Sequence, residues 1–349
     1  MNSMPSLVST ATPPAGPSPI TVVYFPDLDG WEKEGLRGLV DALRLCAEVH
    51  EVEVDSLHRP VSVEAPGRVF WLLSRRWERA LEKIIVPPGS QVLVSLLEST
   101  PRHASLGGAF WRHLQAVVPE GAQLVAHAPL SYRFLVEMRR FDPSRCFYLP
   151  LPVGKAYGAP KAAPQEFTVG ALGRFTVEQN FNFIINVAHS VISQDPQVRF
   201  ELMGDGPLKT HLGDMVRELG LSRNVSVLGW QPSRFSQLDA LVYAPLQNFH
   251  FIPVLEAAAH SIPVVACDFP GTEVLLEPGK SGLISPINET GSLSSHILQI
   301  RKESSLRTQL GLSLHRLAER SLSPQAVQPA LEAILGGHQN TSIQVGVAA

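Results

Sequence analysis

Three cysteines in 349 residues, Cys46, Cys146 and Cys267, are too few and too scattered for a disulfide framework or a cysteine-built metal site. Charge of one sign is lacking as well. Lys and Arg number 29 against 32 Asp and Glu, a net charge of −3, which excludes a nucleic-acid binder that works by bulk positive charge. No apolar run approaches the roughly 20 residues that a membrane-spanning helix needs, and no internal repeat or heptad run is visible. Residues 1–19 have neither the basic start nor the apolar centre of a signal peptide. They read as a disordered leader, residues 336–349 read as a disordered tail, and the chain reads as cytoplasmic.

What is present is alternation. Short apolar runs predict strands at residues 20–25, 49–55, 68–73, 91–95, 123–126 and 145–149, and then at 167–172, 199–203, 225–228, 240–244, 263–266 and 282–285. Helical spacing lies between them, at 32–46, 75–85, 107–117 and 130–139 in the first half. In the second half it lies at 178–194, 208–219, 253–260, 291–302, 305–320 and 324–335. Between residues 151 and 166 the composition shifts to Pro, Gly, Ala and Lys without periodicity, which marks a linker. The expected architecture is α/β: two doubly wound, Rossmann-like domains, 20–150 and 167–335, facing a cleft. Ligands of such sheets bind at the carboxyl ends of the strands.

The most informative segment runs from Phe251 to Ala266. A polar loop enters a short helix with Pro253 at its expected first position, where a missing N–H costs nothing. Glu256 stands one turn on, a lone carboxylate among apolar residues. A helix N-terminus offers free N–H groups and a positive dipole end to a phosphate, here near Phe251 and Ile252. Gly173-Arg174 closes the strand ending at Leu172. Its guanidinium either enters the cleft to pair with phosphate or lies on the surface beside a turn glycine. Gly204-Asp205-Gly206-Pro207-Leu208 reads as a strand, a tight turn and a helix start. Trp230, after Gly229, is either core or the wall against a bound base.

Taken in order, these motifs resemble the nucleotide-sugar domain of GT-B glycosyltransferases of group 1 (GT4-type). Gly204 to Leu208 match that family word for word, Gly271-Thr272-Glu273 resembles its Gly-x-Glu turn, and Ser281-Gly282-Leu283-Ile284 its Asn-Gly-Leu-Leu strand. The resemblance covers the second domain and implies transfer of a sugar, with retention, from a nucleotide-diphosphate sugar to a hydroxyl acceptor. It implies neither a metal nor a further cofactor. Arg174 would face the diphosphate, Glu256 the ribose, and Gly173, Gln179, Trp230, Phe251 and Ile252 would line the nucleotide.

Two positions depart from the pattern. Asn248 occupies the place of a carboxylate that faces the donor sugar, and Gln179 that of a phosphate-binding lysine. An amide still hydrogen-bonds but is neither a base nor a charge. In the first domain, Asp27 and Asp29 stand where a glycine-rich phosphate cradle is usual, and no His-x-His occurs near 92–98. His103, His113 and His127 are the histidines available there, and Glu98 the remaining acid near a strand end. The segment from Arg75 to Ile85 is an amphipathic helix that either rests on an anionic membrane or packs on the sheet. A transferase in polysaccharide or glycoconjugate assembly is the first expectation. A non-catalytic relative that binds a nucleotide sugar or steadies a partner transferase is the alternative.

Overall fold

The computed structural model describes residues 19–24, 30–53, 61–63, 67–73, 84–96, 121–139, 141–155, 166–246, 251–269 and 271–336. Two six-stranded parallel sheets with helices packed on them form a two-domain, Rossmann-like α/β fold. The first contains β1 (Ile20–Tyr24), β2 (Val49–Glu53), β4 (Arg68–Leu73), β6 (Gln91–Leu96), β7 (Gln123–Ala126) and β8 (Cys146–Tyr148), in the order β2-β1-β4-β6-β7-β8. A two-residue pair, β3 (Val61–Ser62) and β5 (Ile84–Ile85), stands apart. The sequence places residues 84 and 85 at the end of a helix. They form β5 instead, as two β-branched residues that find a partner strand do.

The second sheet holds β9 (Thr168–Leu172), β10 (Arg199–Met203), β11 (Val225–Leu228), β12 (Ala240–Tyr243), β13 (Val264–Cys267) and β14 (Gly282–Ser285). Their order is β11-β10-β9-β12-β13-β14. The chain therefore winds outward from β9 in one direction, then restarts beside it at β12. Between β9 and β12 the connections leave on opposite sides and a crevice opens at the carboxyl ends.

Apolar alternation explains the layers. Val169 and Ala171 of β9 join a core with Phe183, Ile184, Val187 and Val191, all from the helix Phe181–Gln194. A second core, with Val23, Val69, Val94 and Leu124, lies within the first domain, and a third is shared between the domains. Leu36, Leu39 and Leu43 of helix α1 (Gly30–Cys46) meet Val327, Leu331 and Ile334 of the last helix, Pro324–Leu335. That helix thus lies against the first domain, and Gln91 of β6 donates to the Ile334 carbonyl at 3.4 Å. Val153 in the linker donates to Leu322 at 2.7 Å just before the crossing.

Candidate functional site

The site is built from three turns. After β9 the chain runs through Gly173-Arg174-Phe175 into a 3-10 turn, Val177–Gln179. The helical pattern from 178 predicts one unbroken helix, but Asn180 adopts a left-handed conformation (φ 57°) and the α-helix starts at Phe181. Its short amide side chain tolerates that backbone better than most. After β10, Gly204-Asp205-Gly206 folds directly onto the first turn. Phe175 N–H donates to Asp205 O at 2.9 Å, Leu208 N–H to Phe175 O at 3.0 Å, and Gly173 N–H to Met203 O at 3.1 Å. A Cβ on Gly206 would stand 2.6 Å from Phe175 O, with the backbone at φ 153°. Only glycine permits so close an approach in that conformation.

Arg174 is half-buried in this fastened turn, and the Gln179 amide folds back beside Gly173, its Oε1 3.1 Å from where a Cβ would lie. The third turn follows β12. Leu246 N–H donates to Glu178 O at 2.9 Å, and Asn180 Nδ2 to Ala244 O at 3.2 Å. The loops on both sides of the crevice are therefore tied to each other. Asn248 lies outside the described residues, as do Asp27, Asp29, Glu98, His103, His113 and positions 75–83 of the amphipathic segment.

The helix after that loop is Ile252–Ala259, and its N-cap residue, Phe251, makes no side-chain capping hydrogen bond. It begins one residue earlier than the sequence predicts, so Pro253 is second, where its missing N–H is equally harmless. Phe251 and Ile252 are buried, and the Phe251 ring packs against Phe269 at 6.2 Å and against Gly271. Tyr243 meets Phe269 edge-on at 5.3 Å. Thr272 completes the next turn: Phe269 N–H donates to its Oγ1 at 2.9 Å, and that hydroxyl donates to Phe269 O at 2.6 Å. These aromatics set the helix end against its neighbours.

Glu256 is only 4% exposed on a helix otherwise apolar from Ile252 to Ala258. Burying a carboxylate is costly, and such groups cluster at functional sites. Trp230 is half-buried. It follows β11 at the sheet edge, and its ring packs on Phe235 at 5.8 Å, which in turn meets His260 at 5.4 Å. That ties the indole to the C-terminal end of the Glu256 helix.

His127 is buried at the carboxyl end of β7. Its Nδ1 meets Leu149 O at 2.7 Å and its Nε2 meets Ser95 Oγ at 2.5 Å. A carbonyl only accepts, so Nδ1 carries the proton and the serine donates to Nε2. Both nitrogens are thereby engaged in holding the sheet to the start of the linker. The three cysteines are free, Cys146 and Cys267 buried and Cys46 half-buried, and burial raises all three thiols, Cys46 and Cys146 to about 11. Among the described residues no group of three or more His, Cys, Asp or Glu is placed to hold a metal ion. Nor is any helix among them long and apolar enough to cross a membrane.

Asn180 is the residue the motif analysis passes over. Asn180 had a signal, a turn-tolerant residue inside a run that otherwise reads as helix. An open cleft of about 630 Å³ at the amino ends of the second sheet is lined by Glu166, Arg199, Glu201 and Arg234. There Arg199 pairs with Glu166 and Arg234 with Glu201. Those ion pairs satisfy one another, and the open end of such a sheet for ligands is the carboxyl one.

Residues 166–303 match the family model of Glycosyl transferases group 1. The poly(ribitol-phosphate) alpha-N-acetylglucosaminyltransferase of Staphylococcus aureus is 27% identical over 178 residues, 50% of this chain and 36% of that protein. The lipopolysaccharide core biosynthesis glycosyltransferase LpsE of Rhizobium meliloti is 28% identical over 169 residues, 46% of this chain and 47% of its own length. The chain thus spans about half or less of these relatives. Among solved structures, Anabaena Alr3699/HepE in complex with UDP-glucose superposes with a TM-score of 0.68 at 16% identity, covering 90% of this chain and 99% of that one. A point mutant of S. aureus TarM in complex with Fondaparinux, alpha-GlcNAc-glycerol and UDP superposes with a TM-score of 0.61 at 20% identity, covering 76% and 55%. The motifs from Gly173 onward, the strand order around the crevice and these matches agree: the chain has the GT-B fold, and residues 166–303 of its second domain match the group 1 glycosyltransferases.

Proposed function

We propose that the chain transfers a sugar from a nucleotide-diphosphate sugar to a hydroxyl acceptor, with retained configuration, in polysaccharide or glycoconjugate assembly. The carrying observation is the junction at the crevice between β9 and β12. There the turn that bears Arg174 is hydrogen-bonded to the loop leading into a helix N-terminus whose N-cap residue, Phe251, makes no side-chain capping hydrogen bond. A guanidinium and a helix dipole held on fixed backbone suit a diphosphate.

In this reading Arg174 and the N–H groups of Phe251 and Ile252 stabilise the departing nucleoside diphosphate. Glu256 holds the ribose, Gly173 and Gln179 border the phosphates, Trp230 supports the nucleotide side of the wall, and Asn248 contacts the sugar. The bond from the anomeric carbon to the phosphate oxygen breaks, its electron pair leaving with the diphosphate. The acceptor oxygen bonds to the same carbon. Its proton passes to the leaving diphosphate, because an asparagine amide is no base. No metal is needed where fixed cations and dipoles do this work. HepE and TarM were solved with UDP bound, so UDP-sugars are the first donors to try. A glycan or lipid-linked hydroxyl is the acceptor class.

Asn248 and Gln179 also favour a second reading, a non-catalytic binder of a nucleotide sugar. Release of nucleoside diphosphate from UDP-, GDP- and ADP-sugars, with a panel of hydroxyl acceptors, separates the two. Turnover that falls in Asn248→Ala supports the transferase. Nucleotide binding with no turnover, in the wild type and in the Asn248→Glu, Gln179→Lys double variant alike, supports the binder.

A further inference from the structure

We infer that Asn180 is a positioning residue of the nucleotide site: its side chain sets the distance across the crevice between the Arg174 turn and the loop that follows β12. The inference rests on the site proposed above. Asn180 sits at the junction of the 3-10 turn Val177–Gln179 and the helix Phe181–Gln194. Its carbonyl accepts from Phe183 and Ile184 N–H at 3.1 and 3.3 Å, so its backbone starts that helix. Its side chain is free for other work.

That side chain reaches across the switch point. Nδ2 donates to Ala244 O at 3.2 Å, immediately after β12, and to Asn288 Oδ1 at 3.3 Å, in the connection after β14. Asn288 is itself left-handed, at φ 61°. Two asparagines in this conformation, 108 residues apart, thus hold three carboxyl-end loops together through one amide. Leu246 N–H, bound to Glu178 O at 2.9 Å, repeats the tie one step nearer to Asn248. Glu178 and Asn180 flank Gln179, so the same clamp fixes the residue that borders Gly173.

A purely local role would need only the left-handed backbone, which glycine supplies without strain. Donation to loops on both sides of a crevice does something else. It holds two halves of a binding surface at one spacing before ligand arrives, and such preorganisation lowers the ordering cost of binding.

The test is calorimetric titration of UDP, GDP and ADP into the full chain, with Asn180→Gly, Asn180→Ala and Arg174→Ala variants. Asn180→Gly keeps the backbone and removes the amide. Its melting temperature should fall by no more than a few degrees, for one to two modest hydrogen bonds lost, while affinity for the preferred nucleotide falls about three- to tenfold, because binding must then order loops the clamp no longer holds. Asn180→Ala adds backbone strain, so its melting temperature should fall as well. Unchanged affinity in Asn180→Gly, with affinity lost in Arg174→Ala, overturns the clamp and leaves the site standing. Unchanged affinity in both, or a wild type that binds none of the three, overturns the site and the clamp with it.

Discussion

The backbone N–H of Phe175 donates to the carbonyl of Asp205 at 2.9 Å, which fastens the turn carrying Arg174 to the turn of the neighbouring strand. The carbonyl of Phe175 in turn accepts from Leu208 at 3.0 Å. Arg174 thus stands on backbone held on both sides, so the turn itself needs little further ordering to meet a charged ligand.

Gly206 is what allows that contact. In Gly206→Ala a Cβ would stand 2.6 Å from Phe175 O and 2.8 Å from its N, both backbone atoms that cannot swing aside. Such overpacking costs on the order of 2–3 kcal/mol. Chemical denaturation should show that loss, and nucleotide affinity should fall with it. Wild-type stability in Gly206→Ala would mean that the two turns do not depend on each other.

Glu256 separates binding from folding. Glu256→Gln keeps the shape of the buried side chain and removes the charge, so affinity for a nucleoside diphosphate should drop by roughly fivefold, about 1 kcal/mol. The melting temperature should hold. A large fall in melting temperature with unchanged affinity would assign the carboxylate to the core instead.

Much of the fold is legible in the residues themselves. The strands Arg68–Leu73, Gln123–Ala126, Arg199–Met203, Val225–Leu228 and Gly282–Ser285 fall where apolar runs predict them, because buried parallel strands need continuous apolar side chains. Four-residue helices such as Pro232–Phe235 and Thr272–Leu275 are too short to show periodicity. The break at Asn180 is signalled only by its turn-tolerant side chain, because the flanking residues keep a helical spacing across it. The docking of Pro324–Leu335 on α1 is a tertiary choice that an amphipathic pattern does not encode. At the site, Gly173-Arg174 and Gly204-Asp205-Gly206 are readable as separate turns. That one is hydrogen-bonded to the other is not, since the contact joins backbone atoms 30 residues apart in Phe175 and Asp205.

Stability should weaken on the acid side through His296. Ser292 donates to Ser285 Oγ at 3.1 Å, and the Ser285 hydroxyl meets His296 Nδ1 at 3.0 Å. With Ser292 supplying its proton to Ser285, the Ser285 proton goes to an unprotonated Nδ1. Burial holds His296 below its ordinary value of 6.5. The unfolded chain therefore takes up this proton first as pH falls, and the stability present above about 6.5 is lost through the lower folded value. His296→Gln still accepts the hydroxyl but does not titrate. Its melting temperature should fall less between about pH 7.5 and pH 5 than the wild type's, by roughly 1–2 °C. Parallel curves for the two proteins would remove His296 from the acid response.

The most direct measurement is titration of nucleoside diphosphate into the wild type and Arg174→Ala. The guanidinium–diphosphate contact is worth about 1.5–3 kcal/mol, so Arg174→Ala should bind roughly ten- to a hundredfold more weakly than wild type, with an unaltered melting temperature in the absence of ligand. Equal affinities would place the nucleotide elsewhere and contradict the assignment of the crevice between β9 and β12.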